Sequence, residues 1–327
     1  MNENLIKLKK KLPFLKKRDL FLRLIRNFFY SKNFLEIDSP LLLKSPCMEP
    51  HLDPFIVIGT LSGVKYFLPT SPEFYLKKIL SSGEEKIFSL SPSFRDEEKS
   101  KSHSHQFLML EWYRENSSLK EIAKDIQELL CFIKDNFSFE PVININGEEI
   151  RFDEGFNWIE LNHFFKESFG QKFTELKSLN EWRQIAKING AQTNEKWDEN
   201  DCFSYLMVSK IEKKLNEFEK PVILYGYPKF QSALSEVKNG ISERFELYIN
   251  GVELANAYNE LKGKEKNLQR YKEFQKERVR LGKENLPADE ELFDSVENFH
   301  SPSGIAFGID RFLSLILKCS IDECQNG

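Results

Sequence analysis

The sequence predicts an α+β fold built from antiparallel strand pairs and amphipathic helices, and three stretches carry that prediction. Residues 118–135 place Leu119, Ile122, Ile126, Leu129, Leu130 and Ile133 near helical spacing. Residues 86–94 (KIFSLSPSF) and 106–114 (QFLMLEWYR) read as two strands either side of a polar loop from Arg95 to His105. In RFELYINGVELANAY, Asn250-Gly251 separates two apolar-alternating runs, the strongest short-range signal for a hairpin with a type I′ turn.

The other elements follow in order. Residues 19–33 put Leu20, Phe21, Leu24, Ile25 and Phe28 on one helical stripe, with Asp19 as the expected N-cap. Residues 34–37 form a short strand stopped at Ser39-Pro40. Strands at 55–58 and 64–68 flank Gly59–Gly63. Thr70-Ser71-Pro72-Glu73 reads as a helix start with Thr70 or Ser71 as N-cap and a capping box to Glu73. That helix runs to about Ser81 and ends at Gly83. Residues 140–215 are less patterned, with a strand pair near 142–152 and short helices. We read them as an insertion or connecting subdomain in a single catalytic domain spanning 1–327. A strand at 221–225 follows, then the hairpin, in which Phe245, Leu247 and Ile249 share one face. A charged, solvent-facing helix is expected at 263–282. The chain ends with a buried strand, Gly304 to Ile309, and a helix from Arg311 to Lys318 capped by Asp310.

Composition narrows the class. Hydrophobic residues at 40%, with 29 Phe, supply a large core, and 30% charged residues cover a soluble surface. A net charge of −4 argues against a generic nucleic-acid binder, which needs excess Lys and Arg. The basic run Lys7, Lys9, Lys10, Lys11, Lys16, Lys17, Arg18 reads as a solvated helical face. Five scattered cysteines without C-x-x-C point to reduced thiols. The first fifteen residues are broken by lysines, unlike a signal peptide, and no window holds eighteen consecutive apolar residues. A soluble, cytoplasmic protein with no membrane contact is expected.

Several chemistries lack their motif. There is no P-loop, no G-x-G-x-x-G and no G-x-S-x-G. His103 and His105 form an H-x-H pair in a Ser- and Lys-rich loop without partner ligands, which reads as solvated. What remains is charge on strands beside apolar positions: Arg95, Asp96 and Glu97 at one strand end, Glu111 to Arg114 on the next, Glu253 and Glu260 around the hairpin, and Arg311 after GIAFGID. Such charges are costly unless paired or used. Taken singly, each reads equally well as an ion pair.

Together they resemble the three signature motifs of class II aminoacyl-tRNA synthetases, in order. Helix 19–33 with FLEIDSP is similar to motif 1, which ends in proline (here Pro40) and forms the dimer interface in that family. FRDEE…HSHQFLMLEWYR is similar to motif 2, and SGIAFGIDRFLSLIL to motif 3. The resemblance implies an antiparallel sheet flanked by helices, adenylate chemistry with ATP and Mg²⁺, and a homodimer through helix 19–33. It implies that Arg95 holds the α-phosphate and substrate carboxylate, that Arg311 holds the γ-phosphate, and that Glu97 meets the adenine amino group. Glu253 and Glu260 would bind Mg²⁺, or in the case of Glu260 the substrate ammonium. Gly308 would allow backbone approach to adenine, and Asp96, Ser104 and Leu254 fall at further ATP-contacting positions. Asp96, Ser104 and Gln106 depart from the family's usual Asn, Asn and carboxylate.

SPEFYLKKIL and GVELANAYNEL stand where the lysyl subgroup has its substrate segments. Ser71, Pro72, Glu73, Tyr113 and Glu260 are therefore the expected contacts to a lysine-like amino acid, since a cationic side chain needs an acidic, aromatic-walled pocket. Motif 1 begins within about twenty residues of Met1, which leaves no room for an anticodon-binding domain ahead of it. In this the chain is similar to the short lysyl-tRNA synthetase paralogues that modify elongation factor P. Ala306 agrees, standing where the paralogues have alanine and the synthetases glycine. The resemblance implies ATP-dependent ligation of (R)-β-lysine, or lysine, to the ε-amine of a lysine on elongation factor P, with tRNA disfavoured. The alternatives are a truncated lysyl-tRNA synthetase-like enzyme that charges tRNA, and an inactive regulatory paralogue.

Overall fold

The computed structural model describes residues 3–96, 104–137, 142–145, 148–152 and 154–325. Two compact units emerge, Met1–Phe139 with Glu260–Gly327, and Glu140–Asn259.

The first unit opens with α1, Glu3–Ser31. The sequence places a helix start at Asp19, but the helix begins at Glu3 and runs through Pro13. Asp19 caps nothing: its carboxylate accepts from Arg23 one turn on, at 2.7 Å. The preceding residue, Arg18, is buried and bonded to Asp310 and to the Cys324 carbonyl, which fixes the early turns to the unit. Pro13 removes one helical hydrogen bond and does not stop a helix held in this way. Next come β1 (Leu35–Glu36), a hairpin of β2 (Ile56–Ile58) and β3 (Lys65–Phe67), and α2 (Glu73–Ser81). The expected capping box of α2 is not formed. Pro72 holds the N-cap position, Ser71 Oγ accepts from the Glu73 N–H at 3.0 Å, and the Glu73 carboxylate turns to Lys77 instead. A buried ion pair outweighs a capping bond worth about 1 kcal/mol.

Strands β4 (Lys86–Phe94) and β5 (Gln106–Arg114) pair antiparallel over their full length, from Lys86↔Arg114 to Phe94↔Gln106. Period-2 alternation gives the two faces different work. On one face Phe88 stacks on Phe29 at 4.7 Å, and Trp112 packs on Phe29 and donates to Asp125. Asp125 lies on α3 (Leu119–Phe137), so this face meets the helical layer. The opposite face carries Ser89, Ser91 and Ser93 from β4 and Met109, Glu111 and Tyr113 from β5, all buried.

The second unit holds a hairpin of β6 (Val142–Ile145) and β7 (Glu148–Arg151), then β8 (Asn157–Glu160), α4 (Leu161–Phe169), α5 (Leu179–Ile188), α6 (Glu199–Leu206) and α7 (Glu212–Lys214). Its sheet runs β8, β9 (Val222–Pro228), β11 (Ile241–Ile249), β12 (Val252–Asn259), with β10 (Val237–Lys238) beside β11. Leu161, Phe165, Trp182, Phe203 and Leu224 are among its core residues. The β11–β12 turn is the expected one: Asn250 and Gly251 both have positive φ, 48° and 68°. A Cβ on Gly251 would also crowd the Glu212 carbonyl at 3.0 Å, so the turn favours glycine there.

The first unit resumes with α8 (Lys264–Arg280), α9 (Glu290–Ser295), β13 (Ser303–Gly308), α10 (Ile309–Leu317) and α11 (Ile321–Cys324). Its sheet order is β1–β4–β5–β13, with β1 parallel to β4 and the other pairs antiparallel. Helix α8 alternates exposed and half-buried positions, and of its residues Asn267 and Arg278 are buried. Arg278 is buried and donates to the carbonyls of Pro50, Leu52 and Glu284 and to Asp53. Asp310 does not cap α10; Gly308 holds that position. The Asp310 carboxylate serves Arg18, the Leu108 N–H and Gln325.

Candidate active site

The inward face of β13 is small at every position that meets β5. Gly304 opposes Tyr113, Ala306 opposes Glu111 and Gly308 opposes Met109, while Ile305 and Phe307 point the other way, opposite Trp112 and Leu110. Small residues on one face leave a floor on which a ligand can lie, and the alternation in SGIAFGI encodes it. A Cβ added at Gly304 would stand 2.2 Å from two Tyr113 ring carbons and 2.8 Å from Glu260 Oε1. Only glycine lets the Tyr113 ring and the Glu260 carboxylate share this place.

Over the floor lies a buried charge cluster. Lys77, one turn into α2, sits 2.5 Å from Glu73 Oε1 and 2.7 Å from Glu260 Oε2. Tyr113 donates to Glu111 Oε2 at 2.9 Å. Glu111 and Glu260 are each 1% exposed, and the Oε1 atom of each has no hydrogen-bond partner. Burial drives the Glu111 carboxyl up to about 8, and the Glu73 charge adds to this against the Ser71 and Tyr113 hydroxyls and Lys77. Burial likewise raises Glu260, to about 7, with Lys77 pulling down and Glu73 pushing up. Burial alone would lower Lys77, but Glu260 and Glu73 outweigh it and raise the ammonium above its ordinary value. Tyr113 is raised well above the ordinary phenol, by burial and then by Glu111.

The phosphate-type arginines are placed differently. Arg95 follows β4 on the same alternation as Ser89, Ser91 and Ser93. Its guanidinium lies 5.1 Å over the Phe107 ring, and its Nε is buried without a partner. Arg311 stands in the first turn of α10, half-buried. Asp96 is exposed, and its N–H donates to the Asp53 carbonyl. Ser104 is half-buried. Glu97 and His103 lie outside the described residues. Ser71, Pro72, Glu73, Tyr113 and Glu260 therefore come together, and Arg95 and Gly308 share the sheet face that carries Tyr113.

Glu253 and Leu254 stand on β12 of the second unit, Glu253 half-buried and Leu254 buried. There Glu246 accepts from Arg244, Tyr227 and Tyr248, and the charges of Glu246 and Glu253 both act on the Tyr248 hydroxyl. Among the described residues no group of three or more His, Cys, Asp or Glu is arranged to hold a metal ion. Two carboxylates do suit Mg²⁺, which is commonly held by one or two carboxylates plus substrate phosphates.

Two members of the acidic cluster escape the sequence reading. Glu111 shares a strand face with Tyr113, two residues on, and Lys77 a helix face with Glu73, four residues before. Neither signal distinguishes a site from an ordinary ion pair without burial.

Comparison with known proteins fits this geometry. A family model described as tRNA synthetases class II (D, K and N) matches residues 5–325. The chain is 30% identical over 316 residues to an elongation factor P–(R)-β-lysine ligase of Erwinia tasmaniensis, covering 92% of this chain and 90% of the relative. It is 29% identical over 311 residues to the protein of that name from Edwardsiella ictaluri, and 29% over 317 residues to the one from Salmonella gallinarum. These alignments cover 92% and 94% of this chain, and 90% and 91% of the relatives. The chain belongs to the class II tRNA synthetase family, in the group of the D, K and N enzymes.

Proposed function

We propose that this protein is an ATP-dependent, AMP-forming ligase that activates (R)-β-lysine, or lysine, as its adenylate. The acyl group then passes to the ε-amine of a lysine on elongation factor P. The observation that carries this reading is the pair of orphaned oxygens, Glu111 Oε1 and Glu260 Oε1, buried over a floor of small residues. A buried acceptor without a partner costs about 1–3 kcal/mol, which an incoming ammonium donor recovers. The relatives named above supply the acceptor, and Ala306, directly opposite Glu111, narrows the floor where the substrate would lie.

In the first step the substrate carboxylate attacks the α-phosphate of ATP in line and pyrophosphate leaves, so positioning and charge neutralisation do most of the work. Arg95 suits the α-phosphate and carboxylate: its planar fork is braced on Phe107 and carries an unused Nε–H donor. Arg311 is assigned to the γ-phosphate, and Gly308, Asp96, Ser104, Leu254 and Glu97 to adenine and ribose contacts. Mg²⁺, when bound, neutralises phosphate charge, and Glu253 with Glu246 would hold it. Glu260 we assign to the substrate ammonium rather than to a metal, because it already faces the Lys77 ammonium at 2.7 Å. In the second step the acceptor lysine, with an ordinary pKa of about 10.4, must lose its proton on docking.

We assign residues at about 140–215 to an insertion of the catalytic domain, and the 19–33 stretch of α1 to the contact between two copies in a homodimer. Leu20 and Tyr30 are exposed along that stretch, which supports the second assignment. Five free thiols suit a cytoplasmic setting, and among the described residues no helix is long and apolar enough to cross a membrane. The test is ATP–pyrophosphate exchange by the purified protein. Exchange dependent on (R)-β-lysine or lysine is expected, and exchange with neither contradicts the reading.

A further inference from the structure

Residues 50–53 belong to no helix or strand, so no ladder takes up their backbone acceptors, and two cations do so instead. The buried Arg278 donates to the carbonyls of Pro50 and Leu52, at 3.3 and 3.0 Å, and to Asp53 Oδ1 at 3.0 Å. Lys283 donates to the His51 carbonyl at 2.9 Å and pairs with Asp53 Oδ2 at 2.7 Å. The Lys283 N–H in turn donates to the Arg278 carbonyl at 2.8 Å, so both cations belong to one turn of chain at the end of α8. Four consecutive residues are thus fastened to one helix end. Arginine suits this place because its planar fork presents donors in fixed directions.

The Asp53 carbonyl is spent elsewhere. Strands β4 and β5 pair as far as Phe94↔Gln106, and the Arg95 N–H still reaches the His105 carbonyl at 3.0 Å. At Asp96 the chain leaves the sheet, and its N–H goes to the Asp53 carbonyl at 2.9 Å. The peptide that follows Arg95 is therefore held by Asp53. The facing strand leans on the same segment, since the Phe55 and His105 rings lie 5.6 Å apart. A side chain takes its rotamer from the backbone that carries it, so a tilt of the 95–96 peptide re-aims the Arg95 guanidinium. We infer that Asp53 is a positioning residue for Arg95: clamped by Arg278 and Lys283, it fixes the backbone from which that guanidinium reaches the triphosphate. The end of α8 thereby serves the adenylate-forming step without touching ATP.

This inference rests on the assignment of Arg95 to the α-phosphate proposed above, and the experiment separates the two. ATP–pyrophosphate exchange of the full chain is measured with ATP and the amino acid varied in turn, beside hydrogen exchange read by mass spectrometry. Asp53→Ala is expected to raise the ATP KM and lower kcat, a fall of about 10- to 100-fold in kcat/KM for ATP. The amino-acid KM should move by less than about twofold, since Glu73, Tyr113 and Glu260 are held by other bonds. Lys283→Met, which removes the more exposed cation and spares the fold, should show the same split at about 2- to 5-fold. In both variants the amides of residues 94–96 should exchange faster, with those of 73–81 unchanged. A lower kcat with both KM values unmoved is loss of active protein alone, and overturns the positioning role. Wild-type protection at 94–96 in Asp53→Ala overturns the clamp while leaving the proposed activation intact. Wild-type protein that exchanges pyrophosphate with neither lysine nor (R)-β-lysine removes the activation reading, and the role of Asp53 falls with it.

Discussion

At the scale of the residue, the site depends on what is missing as much as on what is present. Gly304 has no side chain, and the Tyr113 ring and the Glu260 carboxylate occupy the space a methyl group would need. Gly304→Ala forces a fully buried tyrosine to move, an overpacking cost of about 1–3 kcal/mol. We expect the amino-acid KM in pyrophosphate exchange to rise about 5- to 150-fold, with the fold retained by circular dichroism. Unchanged KM would show that the ring has somewhere to go. Lys77 makes the complementary point, because removing a buried cation leaves Glu73 and Glu260 facing each other. Lys77→Met is expected to cost about 3–5 kcal/mol of stability, read as a lower urea midpoint. Ser71, Glu73, Tyr113 and Glu260 were legible from their segments. Glu111 and Lys77 were not, because burial and the absence of a competing partner are properties of the packed cluster and not of the strand or helix that carries them.

At the scale of the element, alternation was the most readable signal and capping the least. The sequence placed β4 and β5 at the bounds the structure shows, and Asn250-Gly251 formed its turn, since both features are decided by neighbours a few residues apart. The expected cap failed at Asp19 because the helix already runs from Glu3, and at Thr70–Glu73 and Asp310 for a different, shared reason. A carboxylate next to a distant or buried cation leaves its local backbone donor, as Glu73 does for Lys77 and Asp310 for Arg18. Helix α8 shows the same limit. Seventeen mostly charged residues look solvent-facing, yet Arg278 is buried against three carbonyls and Asp53. Arg278→Ala removes those bonds and strands the acceptors. We expect a loss of about 2–4 kcal/mol, with faster hydrogen exchange in α8 and in residues 50–53. Protection equal to wild type there would mean that α8 is held by other contacts.

At the scale of the whole molecule, the buried carboxyls tie stability to pH and to substrate. Glu111 and Glu260 hold their protons, to about 8 and 7, over a range where the unfolded chain has lost them near 4.5. Folding therefore favours the protonated form, and this contribution is full at low pH and lost as pH rises through those values. Asp53 runs the opposite way. Burial pushes its carboxyl up, but Lys283 and Arg278 outweigh that and hold it below the usual range, so its contribution is lost only in acid. The free protein should be less stable at pH 8 than at pH 6, and saturating lysine should raise its Tm more at pH 8. An equal Tm gain at both pH values would break the link between the acidic cluster and the substrate.

The central claim joins that cluster to a protein acceptor, and one measurement reaches both ends of it. The purified chain is incubated with ATP, Mg²⁺, (R)-β-lysine and elongation factor P, and the factor is weighed intact by mass spectrometry. The account predicts a gain of one lysyl residue at a single lysine, dependent on ATP and accompanied by AMP. An unmodified factor, alongside aminoacylation of bulk tRNA by the same preparation, would contradict it.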